Sequence, residues 1–248
     1  MTILVAVPYY GVPELVGRCV QSILAQTVRD IAVVVIGDGE RPPLAIADSR
    51  LEVYSIPDNH GPYFAQQVAL LASPFDRYAP VGADDWLEPE HLERLVDAGG
   101  EAVVTGAVWF HNLAGGVSVH EGNYEVGLFD RDRLLSIGGH NPSERVGQDS
   151  LLIHLLRHTG DLRATHHPTY HRVKRPDSLM TSALTGKGTP YRNDVRRRNR
   201  IVLAECKRLG TVDAIRDYRE RIVPAHVRNE VLEHAARLSE RLGRAVAA

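Results

Sequence analysis

Residues 78–89 read YAPVGADDWLEP and place two adjacent carboxylates, Asp84 and Asp85, directly after a short apolar run. Adjacent carboxylates repel each other, and the packing of a strand does not explain why two of them stand at its end. A divalent cation would neutralise them, because Mg²⁺ and Mn²⁺ prefer oxygen ligands and complete their shells with water and substrate phosphates. A solvated turn before a helix N-terminus, which favours acidic residues, explains the pair equally well.

Strand and helix patterns alternate around this segment. The apolar runs 3–8, 31–36, 51–56, 78–81 and 102–108 predict strands, and the periodic segments 13–26, 62–71 and 88–96 predict helices. Residues 112–116 predict a turn, and residues 117–119 predict its return strand. Such alternation indicates an α/β domain with a parallel or mostly parallel sheet covered on both faces. Ligands of these sheets bind beyond the carboxyl ends of the strands. Pro8, Asp38 and Asp84 all lie at predicted carboxyl ends, which predicts a site there.

The pattern changes after Gly138 and Gly139. Asp149 opens an apolar helix, and residues 165–173 are predicted to be extended. The chain from Tyr191 onward is helical and rich in arginine, with breaks near residues 210 and 224. We therefore expect two or three C-terminal helices, packed either on the main domain or on a partner.

Composition limits the classes of function. The 248 residues are 44% hydrophobic and 24% charged, which suits a globular domain with a full core. A net charge of −2 argues against a nucleic-acid partner. We expect neither a signal peptide nor a transmembrane segment, because the start lacks a basic region and no apolar stretch is long enough. The expected location is the cytoplasm, with attachment to the inner membrane surface left open.

The late arginines form a charge run, Arg196 to Arg198 with Arg200. Most such runs are solvated helix faces, and contact with an anionic lipid or an anionic acceptor is the second interpretation. His154 and His158 have the spacing of a pair of zinc ligands, but no third ligand follows at a sequence spacing typical of zinc sites.

Several segments, taken in order, resemble the GT-A glycosyltransferases of family two. VAVPYYGVPELVGRCVQSILAQTVRDIAVVVIGDGE, residues 5–40, is similar to their opening, with Pro8 and Tyr10 in a Pro-x-Tyr motif and Asp38 at the end of the second strand. Asn59, GADDWLEP, the pair Gly138-Gly139 and GQDSLL, residues 147–152, follow in the family's order. The similarity covers roughly residues 3–180.

Four positions depart from the family pattern, and the first is Gly37, which precedes Asp38 where the family often has another aspartate. Gly82 occupies the first acidic slot of the metal segment, and Gln148 replaces an acid before Asp149. Lys174 occupies the slot of a late histidine that can serve as a metal ligand, with His171 as the alternative. A lysine at that position would meet diphosphate charge directly.

The resemblance implies a GT-A fold and an inverting transfer from a nucleotide diphosphate sugar to a hydroxyl. It implies a catalytic domain over residues 1–185, with the nucleotide-sugar half at about 1–105 and the acceptor half at about 106–185. Residues 186–248 would form a C-terminal helical extension. A UDP-sugar is the expected donor, because Asp38 suits the edge of a uracil.

The resemblance also assigns roles, each with a structural alternative. It gives Asp149 the role of general base, places Mn²⁺ or Mg²⁺ on Asp84 and Asp85 with His171 as a third ligand, and assigns donor binding to Pro8, Tyr10, Asp38, Asn59, Asp84 and Lys174. Asp149 could instead be a helix N-terminal acid, and Asp38 and Asn59 could be turn residues. Trp86 could stack on a sugar or simply be packed.

Two other functions stay open at this stage. A non-catalytic module that binds nucleotide sugars or glycans would accommodate Gly82 and Gln148. A nucleotidyltransferase also uses carboxylate-bound metal, but its glycine-rich basic loop is missing early in the chain. The sequence leaves open whether the acceptor is a glycan, a lipid-linked sugar, a small molecule or a protein, and whether the C-terminal helices form a homo-oligomer.

Overall fold

The computed structural model describes residues 1–112, 115–160 and 162–247. The strands are β1 (Ile3–Tyr9), β2 (Ile31–Asp38), β3 (Leu51–Ile56), β4 (Arg77–Pro80), β5 (Trp86–Leu87), β6 (Ala102–Asn112), β7 (Val117–Asp130), β8 (Leu162–Thr165) and β9 (Tyr170–Lys174). The helices are α1 (Pro13–Leu24), α2 (Pro62–Ala72), α3 (His91–Ala98), α4 (Arg131–Ser136), α5 (Gln148–Thr159), α6 (Pro190–Leu209), α7 (Val212–Ile222) and α8 (Ala225–Ala247).

The strands form one mixed sheet in the order β3-β2-β1-β4-β7-β6-β9-β5, and β8 pairs with β6 beside this path. The first four strands in that order are parallel to one another. β7 runs antiparallel to both β4 and β6. The carboxyl ends of β1, β2 and β4 therefore share one edge, as the alternating pattern predicts, and the α/β class is confirmed.

Helices cover the sheet on both faces, because strands such as β1 are apolar on both sides. Ile3, Val5 and Val7 pack in one core cluster with residues of α1 and α3. Leu4 and Ala6 point the other way and join a second cluster with residues of α2 and α5. Alternation of side chains along a strand separates the two sets.

The C-terminal helices pack on the main domain. Leu238 and Leu242 of α8 are buried in the same cluster as α2, and Cys206 and Ile215 bring α6 and α7 into it. The Tyr54 hydroxyl also lies 2.8 Å from Nδ1 of His234. Residues after 185 thus complete the core of the preceding domain.

Some boundaries differ from the sequence-based expectation. β6 and β7 form a longer hairpin than the predicted segments 102–108 and 117–119, and part of the predicted turn, residues 113 and 114, lies outside the described residues. α3 begins three residues later than predicted, because Trp86 and Leu87 pair with β9 as a short strand. In the described part of the chain, no helix is both long and apolar enough to cross a membrane.

Candidate active site

A cavity of about 1230 Å³ lies over the shared carboxyl edge of β1, β2 and β4. Its lining includes eight of the nine residues expected at the site: Pro8, Tyr10, Asp38, Asn59, Asp84, Asp85, Asp149 and Lys174. The ninth, His171, is not part of the lining. Residues from the N-terminal strands, α5, β9 and α6 therefore meet around one space.

Asp38 is held in place by the backbone of a neighbouring loop. It is buried, and its two carboxylate oxygens accept hydrogen bonds from the amides of His60, at 2.8 Å, and Gly61, at 2.7 Å. Burial raises the pKa of Asp38, and the two amides offset only part of that effect. Arg145 donates to the side chain and carbonyl of the adjacent Asn59. The Asp38–Gly61 corner is thus preorganised around fixed donors and acceptors.

Asp85 is the buried member of the acidic pair. It accepts hydrogen bonds from the Tyr170 hydroxyl, at 2.8 Å, and from the amide of Val173, at 3.0 Å. Burial, followed by the charge of Asp84, raises the pKa of Asp85 to about 7. The guanidinium of Arg172, whose Nε lies 3.9 Å from Asp85 Oδ2, offsets only part of this rise.

Asp84 is the member of the pair that faces the cavity. Its Oδ2 accepts a hydrogen bond from Nε of Arg175 at 2.9 Å, and about a fifth of its side chain is exposed. A Cβ placed on Gly82 would lie 2.7 Å from Asp85 Oδ2 and 3.2 Å from Asp84 Oδ1. The two carboxylates thus converge on the space that a side chain at residue 82 would fill, which accounts for the glycine at the first acidic slot.

The converging oxygens of Asp84 and Asp85 fit a hard divalent cation that takes its remaining ligands from water and phosphate. Among the described residues, no group of three or more His, Cys, Asp or Glu side chains could hold a metal ion. The protein therefore offers two carboxylates, with Arg175 as a competing cation on Asp84.

His171 lies apart from this pair, because alternation along β9 turns it away from Tyr170 and Arg172. Its ring nitrogens contact Glu88 Oε1, at 2.6 Å, and His111 Nε2, at 2.8 Å. The structure thus does not bring His171 together with Asp84 and Asp85.

Trp86 is packed and does not line the cavity. Its ring stacks on His171 at 4.7 Å between centroids, and the guanidinium of Arg18 lies 3.6 Å from the Trp86 centroid. Of the two interpretations of Trp86, the structure favours packing over sugar stacking.

Asp149 lies in the first turn of α5, where the cavity opens towards the second half of the sheet. Its amide donates a 3.3 Å hydrogen bond to the Tyr63 hydroxyl. The preceding Gln148 is buried, and its amide group donates to Asn199 of α6 at 3.1 Å. Gln148 therefore ties α5 to α6.

Arg172 provides positive charge between the acidic groups. Burial alone would lower the pKa of Arg172, but Asp85 first, then Tyr170, Asp149 and Asp84, together outweigh burial and raise that pKa. Arg172 therefore lies within electrostatic range of both the acidic pair and Asp149.

A buried acid on the wall of the cavity, Glu125 of β7, was not among the site residues expected from the sequence. Its Oε1 lies 3.1 Å from Nδ1 of His140, and both side chains are buried. His140 directly follows Gly139, and a Cβ on Gly139 would meet Gln67 Oε1 at 2.4 Å. The Gly-Gly-His sequence was the available signal, but β7 gave no sign that its acid faces inward.

Comparison with known proteins agrees with this geometry. The family model described as Glycosyl transferase family 2 matches residues 4–151, from β1 to just beyond Asp149. Glycosyltransferase GlyA of Streptococcus pneumoniae serotype 4 is 30% identical over 100 residues, which are 38% of this chain and 14% of that protein. The chain therefore spans only a small part of this curated relative.

Solved structures of S. aureus TarS share the fold. TarS 1–349 in complex with UDP-GlcNAc superposes with a TM-score of 0.57 and 15% identity, covering 98% of this chain and 92% of that one. A longer TarS chain gives a TM-score of 0.55 and 14% identity, and this chain covers 55% of it. The match of the family model over more than half of the sequence establishes the family: the chain belongs to glycosyl transferase family 2.

Proposed function

We propose that this chain is an inverting glycosyltransferase that moves a sugar from a UDP-sugar to an acceptor hydroxyl. The observation that carries the proposal is the convergence of Asp38, Asp84 and Asp149 on one cavity that also contains Arg172 and Lys174. The complexes of TarS with UDP and with UDP-GlcNAc support the choice of donor.

The donor would lie along the carboxyl edge of the parallel strands. Asp38, with Pro8, Tyr10 and Asn59, would bind the nucleoside, since these residues line the same end of the cavity. The diphosphate would meet Lys174 and Arg175 as direct positive charges.

Asp84 and Asp85 would hold a Mn²⁺ or Mg²⁺ ion. When bound, such an ion supplies charge stabilisation to the departing diphosphate. His171 has no part in this site, because it is bonded to Glu88 and His111 on the other side of β9. Lys174 would supply charge in its place, since it lines the cavity.

Asp149 would act as the general base. The acceptor oxygen forms a bond to the anomeric carbon while the bond from that carbon to the diphosphate oxygen breaks. The acceptor proton goes to the Asp149 carboxylate, and the electron pair of the broken bond leaves with UDP. A single displacement of this kind inverts the anomeric configuration.

The test separates donor binding from chemistry. A thermal-shift screen of nucleotide sugars identifies the donor, because a ligand that binds the native state raises the melting temperature. UDP release is then measured with a panel of acceptors for the wild type and for Asp149→Asn. We expect the variant to keep its donor affinity and to lose transfer by about 10²–10⁴-fold, the usual contribution of a general base.

Asp177→Asn is the matched control, because Asp177 is an exposed acid on the same cavity. Full activity of Asp149→Asn would remove Asp149 from the role of base. Retained configuration at the anomeric carbon, read by proton NMR, would exclude the single displacement. Donor binding with no UDP release from any acceptor would favour the non-catalytic binding module.

A further inference from the structure

The arginine run of α6 divides into paired and unpaired side chains. Arg198 donates two hydrogen bonds of 2.9 Å to the carboxylate of Glu144, and Arg197 pairs with Asp194 at 2.7 Å. Arg196 and Arg200 make no such ion pair within residues 1–112, 115–160 and 162–247. The run is therefore not one uniform solvated face.

The unpaired arginines line the cavity. They are four residues apart and so lie on the same side of α6. Lys187, which comes just before the helix, lines the cavity too and has no ion-pair partner in the described ranges. We define the α6 wall as Lys187, Arg196 and Arg200.

Two anchors place the α6 wall beside the proposed base. Asn199 donates a 2.8 Å hydrogen bond to the carbonyl of Gly147, and Gln148 donates a 3.1 Å hydrogen bond to Asn199. Asn199 lies between Arg196 and Arg200, and Asp149 directly follows Gln148. The helical turn that carries the arginines is therefore fixed against the N-terminus of α5.

The donor does not account for this charge. Arg172, Lys174 and Arg175 already lie on β9 and just after it, close to Asp84 and Asp85. The α6 wall instead approaches from the side of Asp149, where the acceptor hydroxyl must be placed. Two guanidinium groups and one ammonium group that form no ion pair with the described residues favour an anion with two or more accepting oxygens.

We propose that the α6 wall binds a phosphate group of the acceptor, so that the acceptor is a phosphorylated hydroxyl compound. This inference rests on the proposed function, because it takes Asp149 to mark the acceptor side. Arginine binds phosphate through paired N–H groups, and the four-residue spacing presents two such groups to one ligand. The phosphate would hold the acceptor while a neighbouring hydroxyl faces Asp149.

The experiment uses glycerol 1-phosphate as the phosphorylated probe and glycerol as the neutral one. Both are titrated by calorimetry into the 248-residue chain saturated with UDP. Bound UDP occupies the basic residues at the donor end of the cavity, so the probes cannot bind there. We expect only the phosphorylated probe to bind, with an affinity that falls as salt is added. Arg196→Gln and Arg200→Gln should each weaken it by about tenfold, and the double variant should abolish measurable binding.

Arg197→Gln is the control, because Arg197 is 69% exposed and paired with Asp194 outside the cavity. This variant should bind the probe as the wild type does. UDP affinity should be the same in all variants, since the α6 wall does not hold the donor. Because the substituted side chains are exposed, thermal melts should stay unchanged and so confirm intact folding.

Three results would overturn the proposal: absence of probe binding in the UDP-loaded wild type, unchanged binding in the double variant, or equal binding of glycerol. Capture of phosphatidylglycerol vesicles that depends on Arg196 and Arg200, without binding of the soluble probe, would replace the acceptor with a membrane surface. Failure of UDP itself to bind the wild type, measured by titrating UDP alone before either probe is added, would instead count against the proposed function.

Discussion

The two ends of the cavity differ in how their charged groups are satisfied. At the nucleotide end, Asp38 is bonded to two backbone amides, and Asn59 is tied to Arg145. At the α6 wall, Arg196 and Arg200 line the cavity without ion-pair partners in the described part of the chain. One end is shaped by internal hydrogen bonds, whereas the other presents positive charge that forms no ion pair with the described residues.

This contrast separates residues that stabilise the fold from residues that select a ligand. A carboxylate that satisfies buried amides contributes to folding even when no substrate is present, and its loss leaves donors unpaired. Exposed guanidinium groups contribute little to stability. Substitutions at the nucleotide end should therefore change both stability and binding, and substitutions at the α6 wall should change binding alone.

The largest effect is expected from Asp38→Ala. This change leaves the amides of His60 and Gly61 without their acceptor, at a cost of about 1–3 kcal/mol for each buried group. We expect a marked drop in the urea midpoint together with a loss of UDP binding. The urea midpoint of Asp38→Asn should lie between those of the wild type and Asp38→Ala, because only one of the two terminal atoms of asparagine accepts hydrogen bonds.

Asp58→Ala serves as the control, since Asp58 is exposed in the same loop. Its unfolding midpoint should match that of the wild type. If Asp38→Ala unfolds at the wild-type midpoint too, the two amides find other partners and the described contrast between the ends of the cavity fails.

The parallel half of the fold could be predicted from sequence because its signals are local. The runs 3–8 and 31–36 are apolar at every position, which indicates strands buried on both faces. The residues that end those strands, such as Pro8 and Asp38, follow from the strand positions alone. The site at the carboxyl edge therefore needed no knowledge of distant contacts.

The second half depends on pairings that the sequence does not display. Whether His171 or Arg172 faces the cavity is set by the register of β9, and a shift by one residue exchanges the two. The neutral Gly82 is explained only by the convergence of Asp84 and Asp85 in space. The cavity-facing side of α6 likewise follows from the contact of Asn199 with Gly147, 52 residues away along the chain.

A smaller effect, with a distinct dependence on pH, is expected at Asp85. Its pKa is about 7 in the folded protein, against about 3.9 for an unperturbed aspartate. The folded state then keeps a proton that the unfolded state releases, so stability falls as pH rises from about 4 to about 7. The slope reaches at most about 1.4 kcal/mol per pH unit.

Asp85→Asn removes this contribution, because the amide has no proton to release. We expect its free energy of unfolding, measured with urea in the presence of a chelator, to fall less than that of the wild type between about pH 5 and pH 7. Subtracting one free-energy curve from the other removes the contributions of the other titrating groups, which both proteins share. Parallel curves would show that Asp85 ionises normally inside the fold.

The smallest effect concerns the metal proposed at Asp84. Mn²⁺ must displace Arg175, which already neutralises this carboxylate at 2.9 Å, so the net gain in UDP affinity should be modest, about tenfold or 1.4 kcal/mol. Calorimetric titration of UDP with and without Mn²⁺ measures that gain. Asp84→Asn should abolish it, and Asp177→Asn should retain it, because Asp177 lies on the same cavity without joining the acidic pair.

Equal UDP affinity of the wild type with and without Mn²⁺ would instead assign the neutralisation of the diphosphate to Arg172, Lys174 and Arg175. Both ends of the cavity would then bind their phosphates through basic side chains alone.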